Sequence, residues 1–413
     1  MKKNTIILFI FLVFMIALLG FNYFFEPFRQ VVVEQFIQPK DEVSEKLNKD
    51  KTVVETIFGR FDEKDKIGQL ISWPIVIENE ELSDNDLTED VYLDYLSRKN
   101  PGFFTLFGSQ ISTSSAKQTI DKLIDHNGSV LLPWIAVDHE GGSVQRLTGE
   151  GFTKLASWSS ICDLEKQSAQ RALGKSAIEL SEVGVNIVLA PMVDVGSPKG
   201  TLKSRICSAK PDTVVSKANL FINTFQEHGI LPVLKHFPGI GKINVDLHEQ
   251  FAIGRVGVDD VFVYRTLLDF HPEIGVMTAH IGLDNQFAEI PCSLSQDCVG
   301  ELIDNYQKAL VFTDALEMKS AFHLPEASEE AEVIELTLSD VSKKAVLAGN
   351  NVLIYGPSVR LEQLSEVYDM LVREYNYDQE FRQKVDQSVK KIISYKLGVV
   401  IENEVKYPAI KQN

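Results

Sequence analysis

The chain is sparing in cysteine: Cys162, Cys207, Cys292 and Cys298 are the only four in 413 residues. Their spacing fits no zinc motif. Three pairings are open to them outside the cytoplasm, but a domain this large has no need of crosslinks, so buried free thiols are expected. Positive charge is scarce as well. Lys and Arg number 41 against 58 Asp and Glu, a net charge of −17. Such a surface repels polyanions, which argues against nucleic acid or anionic membrane surfaces as partners and favours neutral or amphoteric ones. No glycine-rich phosphate fingerprint succeeds the first strand candidate, so a dinucleotide-binding sheet is disfavoured. Internal repeats and low-complexity tracts are also missing.

Long hydrophobic runs are confined to the amino terminus. Lys2-Lys3 precede an apolar run, Ile6–Gly20, that continues to Phe25 with Asn22 as its interruption. About 20 apolar residues suffice to cross a bilayer. The run exceeds a usual signal-peptide core and no small-x-small cleavage site comes after it. Residues 1–25 therefore read as a signal anchor, with a cleaved signal peptide as the alternative. Lysines on the short side predict that the remainder is exported. No cysteine lies nearby to carry a lipid. Residues 26–50 read as a polar stalk with a first helix.

From residue 51 onward the sequence is of ordinary globular type; the chain is 44% hydrophobic and 24% charged, ample for one large core. Short β-branched and apolar runs alternate with amphipathic stretches such as Ser168–Val183 and Thr213–His228. Eight strand candidates result: within Ile67–Ile77, then Gly102–Phe107, Leu131–Val137, Gly184–Met192, Leu231–Leu234, Ile274–Thr278, Ala309–Thr313 and Asn351–Tyr355. Strand–helix alternation of this kind predicts an α/β fold, a single (β/α)8 TIM-type barrel over residues 51–400. One helical region, roughly Leu361–Lys396, and a polar tail at 401–413 complete the chain.

The chemistry concentrates where strands end, the face at which parallel barrels carry their active sites. Leu231–Leu234 runs into Lys235-His236 and then Phe237-Pro238-Gly239-Ile240-Gly241, which can continue neither strand nor helix. Asp246 and His248 stand two apart in that loop, so a carboxylate can orient an imidazole as a proton shuttle. Ala309–Thr313 delivers Asp314, which taken alone reads as a helix N-cap and with the other motifs beside it reads as catalytic. Val137 leads into Asp138-His139-Glu140-Gly141-Gly142-Ser143-Val144-Gln145-Arg146. A carboxylate accepts two hydroxyl donors and a guanidinium fork donates to two oxygens, so Asp138 and Arg146 are binding candidates, with an ion pair bracing the loop as the lesser reading. Arg205 comes after the strand candidate Gly184–Met192, and Asp194, just beyond that strand, reads as a residue that fixes loops. For His280, at the end of Met277–His280, a packed histidine and a pocket residue are both open.

The segment Lys235–His248 resembles the signature of glycoside hydrolase family 3, in its β-N-acetylglucosaminidase branch: Lys-His-Phe-Pro-Gly-His-Gly, four residues, then Asp-Ser-His. Ile240 stands for the branch's histidine and Leu247 for its serine. Asp138–Arg146 is similar to the family's Asp-x-Glu-Gly-Gly-Arg-Val-Gln-Arg, with Ser143 departing. Thr313–Met318 is similar to Ser-Asp-Asp-Leu-x-Met, with Ala315 departing. The resemblance implies Asp314 as nucleophile, Asp246-His248 as acid/base dyad, and Asp138, Arg146, Arg205, Lys235 and His236 as sugar ligands. It implies a retaining exo-β-N-acetylglucosaminidase acting on terminal amino sugars of peptidoglycan fragments, with no metal or organic cofactor. Other readings are a membrane-anchored glycan-binding relic, a β-glucosidase, or a phosphorylase.

Overall fold

The computed structural model describes residues 40–78, 81–83, 89–197, 202–284, 289–323 and 336–398. The expected membrane anchor, most of the stalk and the tail lie outside these residues. Among the described residues, no helix is long and apolar enough to cross a membrane. The chain divides into two compact units. Of the first, Met1–Val53 with Val400–Asn403, the described part is the start of the helix Lys40–Phe58. The second, within Val54–Val399, holds the barrel and every candidate site residue.

Among the described residues, eight parallel strands form the core sheet: β1 (Ile71–Glu78), β2 (Phe103–Gly108), β3 (Trp134–Val137), β4 (Ile187–Val188), β5 (Leu231–Phe237), β6 (Gly275–Thr278), β7 (Leu310–Thr313) and β8 (Leu353–Ile354). Their spatial order is β7-β6-β5-β4-β3-β2-β1-β8. The remaining gap closes at a parallel bridge between Phe312 and Val352, and Ile354 N donates to Thr313 Oγ1 at 3.0 Å across the same seam. The result is a nearly closed TIM-type barrel.

Each strand candidate in the sequence coincides with one barrel strand, but β5 runs past the expected Leu234 through Lys235 and His236 to Phe237, the chain leaving the ladder only at Pro238. The match follows from burial on both faces: side chains of one parity fill the barrel and those of the other meet the surrounding helices, giving near-continuous apolar runs. In β1, Ile71, Trp73, Ile75 and Ile77 are buried, and so is Ser72, whose hydroxyl meets that of Thr105 in β2 at 2.7 Å. Phe103 of β2 and Phe312 of β7 meet edge to face, centroids 6.2 Å apart. Those strands are not neighbours, so the contact crosses the interior. The barrel is a packed core and not a pore.

Local chemistry sets the element ends. Ser112 caps the helix Thr113–Asp125 by accepting from Ser115 N, and Gly184, with φ of 98°, closes Lys166–Val183 in the left-handed conformation glycine tolerates. The carboxy-terminal helical region is two helices, Leu361–Tyr377 and Gln379–Leu397. Asp378 ends the first in an extended conformation and caps the second through Phe381 N.

The expectation of free thiols is corrected. Cys162 bonds to Cys207 and Cys292 to Cys298, with Cα separations of 5.5 and 5.3 Å that suit disulfides. The first ties the helix Trp158–Asp163 to the segment carrying Arg205. The second staples the start of the helix Gln296–Asn305 to the turn before it.

Candidate active site

The strand ends bring the predicted residues to one face. Asp138 comes directly after β3, Lys235 and His236 lie among the last three residues of β5, and Asp314 comes directly after β7. Lys235 is buried, and its Nζ lies 2.9 Å from Asp138 Oδ1 and 2.6 Å from Glu140 Oε1. Arg205 donates to Glu140 through Nε and Nη2, both at 2.9 Å. Arg146 reaches the same group loosely, its Nη2 3.8 Å from Asp138 Oδ2, with the guanidinium over the Phe107 ring. Burial alone would push the Glu140 carboxyl up, but Lys235 and Arg205 overcome it and hold the group at about 2. Burial likewise opposes charge on Lys235, yet Asp138 and Glu140 raise it above the ordinary lysine value. Glu140 and Lys235 are therefore both charged at neutral pH.

Glu140 is the residue the sequence reasoning passed over. It lies within the matched Asp-x-Glu motif, and the alternation itself was the available signal: residues two apart on an extended segment face the same way, so Glu140 accompanies Asp138 towards Lys235. Arg205 stands beside Glu140, with its fork committed to that carboxylate.

Asp194 acts as a hub. Its Oδ2 accepts from the backbone N–H of His236 at 3.1 Å and faces His236 Nδ1 at 2.9 Å, while Oδ1 accepts from Ile240 N at 2.7 Å. With Nδ1 so engaged, His236 turns Nε2 towards Asp314, 4.0 Å from its Oδ2. Asp314 accepts from Ala315 N at 2.8 Å. Burial pushes its carboxyl up, but His236, His280, the Ala315 N–H and Lys235 together bring it below the ordinary aspartate value. Its side chain is nonetheless 20% exposed, enough to meet a small molecule. His280 proves to be a packed residue. It is fully buried, with Nε2 3.0 Å from the Ala315 carbonyl and Nδ1 2.6 Å from Ser293 Oγ. Nε2 must carry the proton given to a carbonyl, so in the neutral ring, which burial favours, Nδ1 accepts from the serine.

The loop after β5 carries the second pair. His248 donates its backbone N–H to Asp246 Oδ1 at 2.9 Å, and its Nδ1 lies 3.0 Å from the same oxygen. Both bonds, backbone first, lower the Asp246 carboxyl. The side chains are 64% and 70% exposed. With Nδ1 bound to the carboxylate, Nε2 is the nitrogen left to exchange protons outward.

Residues 64–395 match the family described as glycosyl hydrolase family 3 N terminal domain. The chain belongs to this family. Among its relatives is a beta-hexosaminidase of Idiomarina loihiensis, 31% identical over 199 residues that cover 45% of this chain and 59% of the relative. The chain spans about half the length of the curated relatives it matches. The fold is also that of a beta-N-acetylhexosaminidase from Beutenbergia cavernae, with a TM-score of 0.68 at 22% identity over 81% of this chain and 98% of the other. A beta-glucoside phosphorylase superposes as well, with a TM-score of 0.68 at 21% identity over 84% of this chain and 60% of the other. The same fold thus carries more than one chemistry, and what this chain does depends on its own side chains.

Proposed function

We propose that the protein is a retaining exo-β-N-acetylglucosaminidase that removes terminal β-linked N-acetylglucosamine from peptidoglycan fragments. The observation that carries this reading is the pairing of an ionised, partly open Asp314 at the end of β7 with a hydrogen-bonded Asp246–His248 dyad on the loop after β5. The naming of the Idiomarina loihiensis relative agrees with the amino-sugar class.

In the first step an Asp314 carboxylate oxygen bonds to the anomeric carbon as the bond to the aglycone oxygen breaks. His248 supplies a proton from Nε2 to that departing oxygen, its imidazolium stabilised by Asp246. In the second step neutral His248 removes a proton from water, the water oxygen bonds to the anomeric carbon, and Asp314 leaves as carboxylate. Two displacements on opposite faces retain configuration. Lys235, Arg205, Arg146, Asp138 and His236 hold the sugar hydroxyls, and their mutual ion pairs fix the donors before the sugar arrives. The two disulfides favour an oxidising compartment outside the cytoplasm, where an enzyme anchored through its amino-terminal segment would meet cell-wall fragments.

A second reading, a phosphorylase, draws on the likeness to the beta-glucoside phosphorylase and on chemistry: an imidazole, unlike a carboxylate, does not repel an attacking phosphate. The test of both is turnover of 4-methylumbelliferyl β-N-acetylglucosaminide and the matching β-glucoside by the full chain, with and without inorganic phosphate. Preference for the amino sugar, indifference to phosphate and loss of turnover in Asp314→Asn are expected. Release of a sugar 1-phosphate would establish the phosphorylase instead. Turnover of neither substrate by folded protein would leave a glycan-binding protein.

A further inference from the structure

The positions at which this chain departs from the family pattern around the dyad converge. Ile240, Ile243 and Leu247 of the loop after β5 are each under a tenth exposed, and they form one apolar cluster with Ala279, Ile281 and Met318. Ala315 packs against it. Ile240, Leu247 and Ala315, which read in the sequence as three separate oddities, are parts of one contact. That contact borders the site: Ala279 and Ile281 flank the packed His280, and Ala315 and Met318 come just after Asp314 in the chain.

Leu247 holds the decisive place. Its neighbours Asp246 and His248 have side chains 64% and 70% exposed, while Leu247 is 7% exposed. The backbone from Asp246 to Gln250 turns tightly, with Glu249 N and Gln250 N both donating to the Asp246 carbonyl at 3.0 and 3.1 Å. In that turn the dyad faces solvent and the residue between its members faces the barrel. The other ties between the loop and the segment after β7 are lighter. They are Lys319 N to the His248 carbonyl at 3.4 Å, an exposed Lys319–Glu249 ion pair at 2.5 Å, and a stack of Phe251 on His323. An exposed ion pair contributes little. Apolar burial is the larger and less salt-sensitive force.

We propose that Leu247 is a positioning residue: seated among Ala279, Ile281, Ala315 and Met318, it docks the Asp246–His248 dyad against the Asp314 strand end before any sugar is bound. A polar residue at 247 or at 315 would not seat, because the contact offers apolar side chains on either side. The proposal rests on the hydrolase reading, and its test separates the two.

Leu247→Ser, Leu247→Met and Ala315→Asp are compared with the unaltered chain in two measurements. The first is the rate of proteolytic nicking within residues 242–250, which needs no activity. Leu247→Ser and Ala315→Asp should be nicked about tenfold faster, tracking the undocked population, while Leu247→Met, which refills the seat, should resist like the original. The second is kcat on an alkyl N-acetylglucosaminide against an activated aryl one. Leu247→Ser should lose about ten- to a hundredfold on the alkyl substrate, part of what a general acid supplies, with little loss on the aryl substrate, little change in KM, and recovery in Leu247→Met. Unchanged nicking in Leu247→Ser overturns the proposal, whatever the activity. Faster nicking with equal losses on both substrates also overturns it, because the leucine then supports the fold and not the proton donor. If the unaltered chain hydrolyses neither substrate, the hydrolase reading fails, and the nicking comparison still decides the docking.

Discussion

Replacing Glu140 by glutamine removes one charge from the centre of the ion network and almost no volume. Glu140 is 1% exposed and takes two bonds from Arg205 and one from Lys235, itself buried. Glutamine can offer an oxygen to one cation only by turning its NH2 towards the other. Two routes give the size of the effect. A carboxyl held at about 2 instead of an ordinary 4.5 favours the folded state by about 3 kcal/mol at neutral pH. Breaking a buried pair from one side costs about 3–5 kcal/mol. For a domain spanning Val54–Val399, the two correspond to a fall in melting temperature of roughly 4–7 °C. The pH dependence has a definite sign. The folded carboxyl is the more acidic, so its contribution is complete above 4.5 and is lost as pH falls through about 2. Scanning calorimetry of both proteins from pH 7 to pH 3 should show a gap that narrows with acid. A gap under about 1 °C at pH 7, or one that holds constant to pH 3, would refute the account of Glu140 as counter-ion.

Three further outcomes are expected. His248→Ala should slow hydrolysis of poor leaving groups by about a hundredfold or more while sparing activated aryl glycosides in the first step; equal losses in a leaving-group series would remove His248 from the acid role. Gly241→Ala would bring a Cβ to 2.3 Å from the Val195 carbonyl oxygen, backbone that cannot swing aside, and should cost about 1–3 kcal/mol with a matching loss of turnover, both read from thermal melts and initial rates. Replacing Cys162 and Cys207 together by alanine opens a closure across 45 residues, for about 4 kcal/mol, whereas the 6-residue closure of Cys292–Cys298 contributes about 2 kcal/mol. Melting curves in which the short closure matters more would contradict that ordering.

The barrel was legible because its strands are buried on both faces and so stand out as apolar runs between amphipathic helices. Strand limits were less so. Gly184–Met192 contains only Ile187–Val188 as ladder, since the flanking residues pair through isolated contacts such as Met192 with Lys235. The site's strand-end residues were legible from motifs. Pairings across long separations were not. Nothing near Cys162 announces Cys207, and nothing near Glu140 announces Arg205, 65 residues on. Ile240, Leu247 and Ala315 share no periodicity, so their common contact emerges only when the loop after β5 folds over the strand end of β7.

The prepaired state of Lys235 and Arg205 bears on how the proposed sugar would be held. Lys235 meets two carboxylates and Arg205 one, all supplied by the protein itself. Lys235 carries a third N–H beyond those two pairs, and Arg205 three beyond the two it gives to Glu140. Under the proposed function a sugar hydroxyl can therefore join the network without breaking it. The carboxylates act as a frame that holds two long cationic side chains in one place, so their ordering is met when the chain folds and not when a ligand binds.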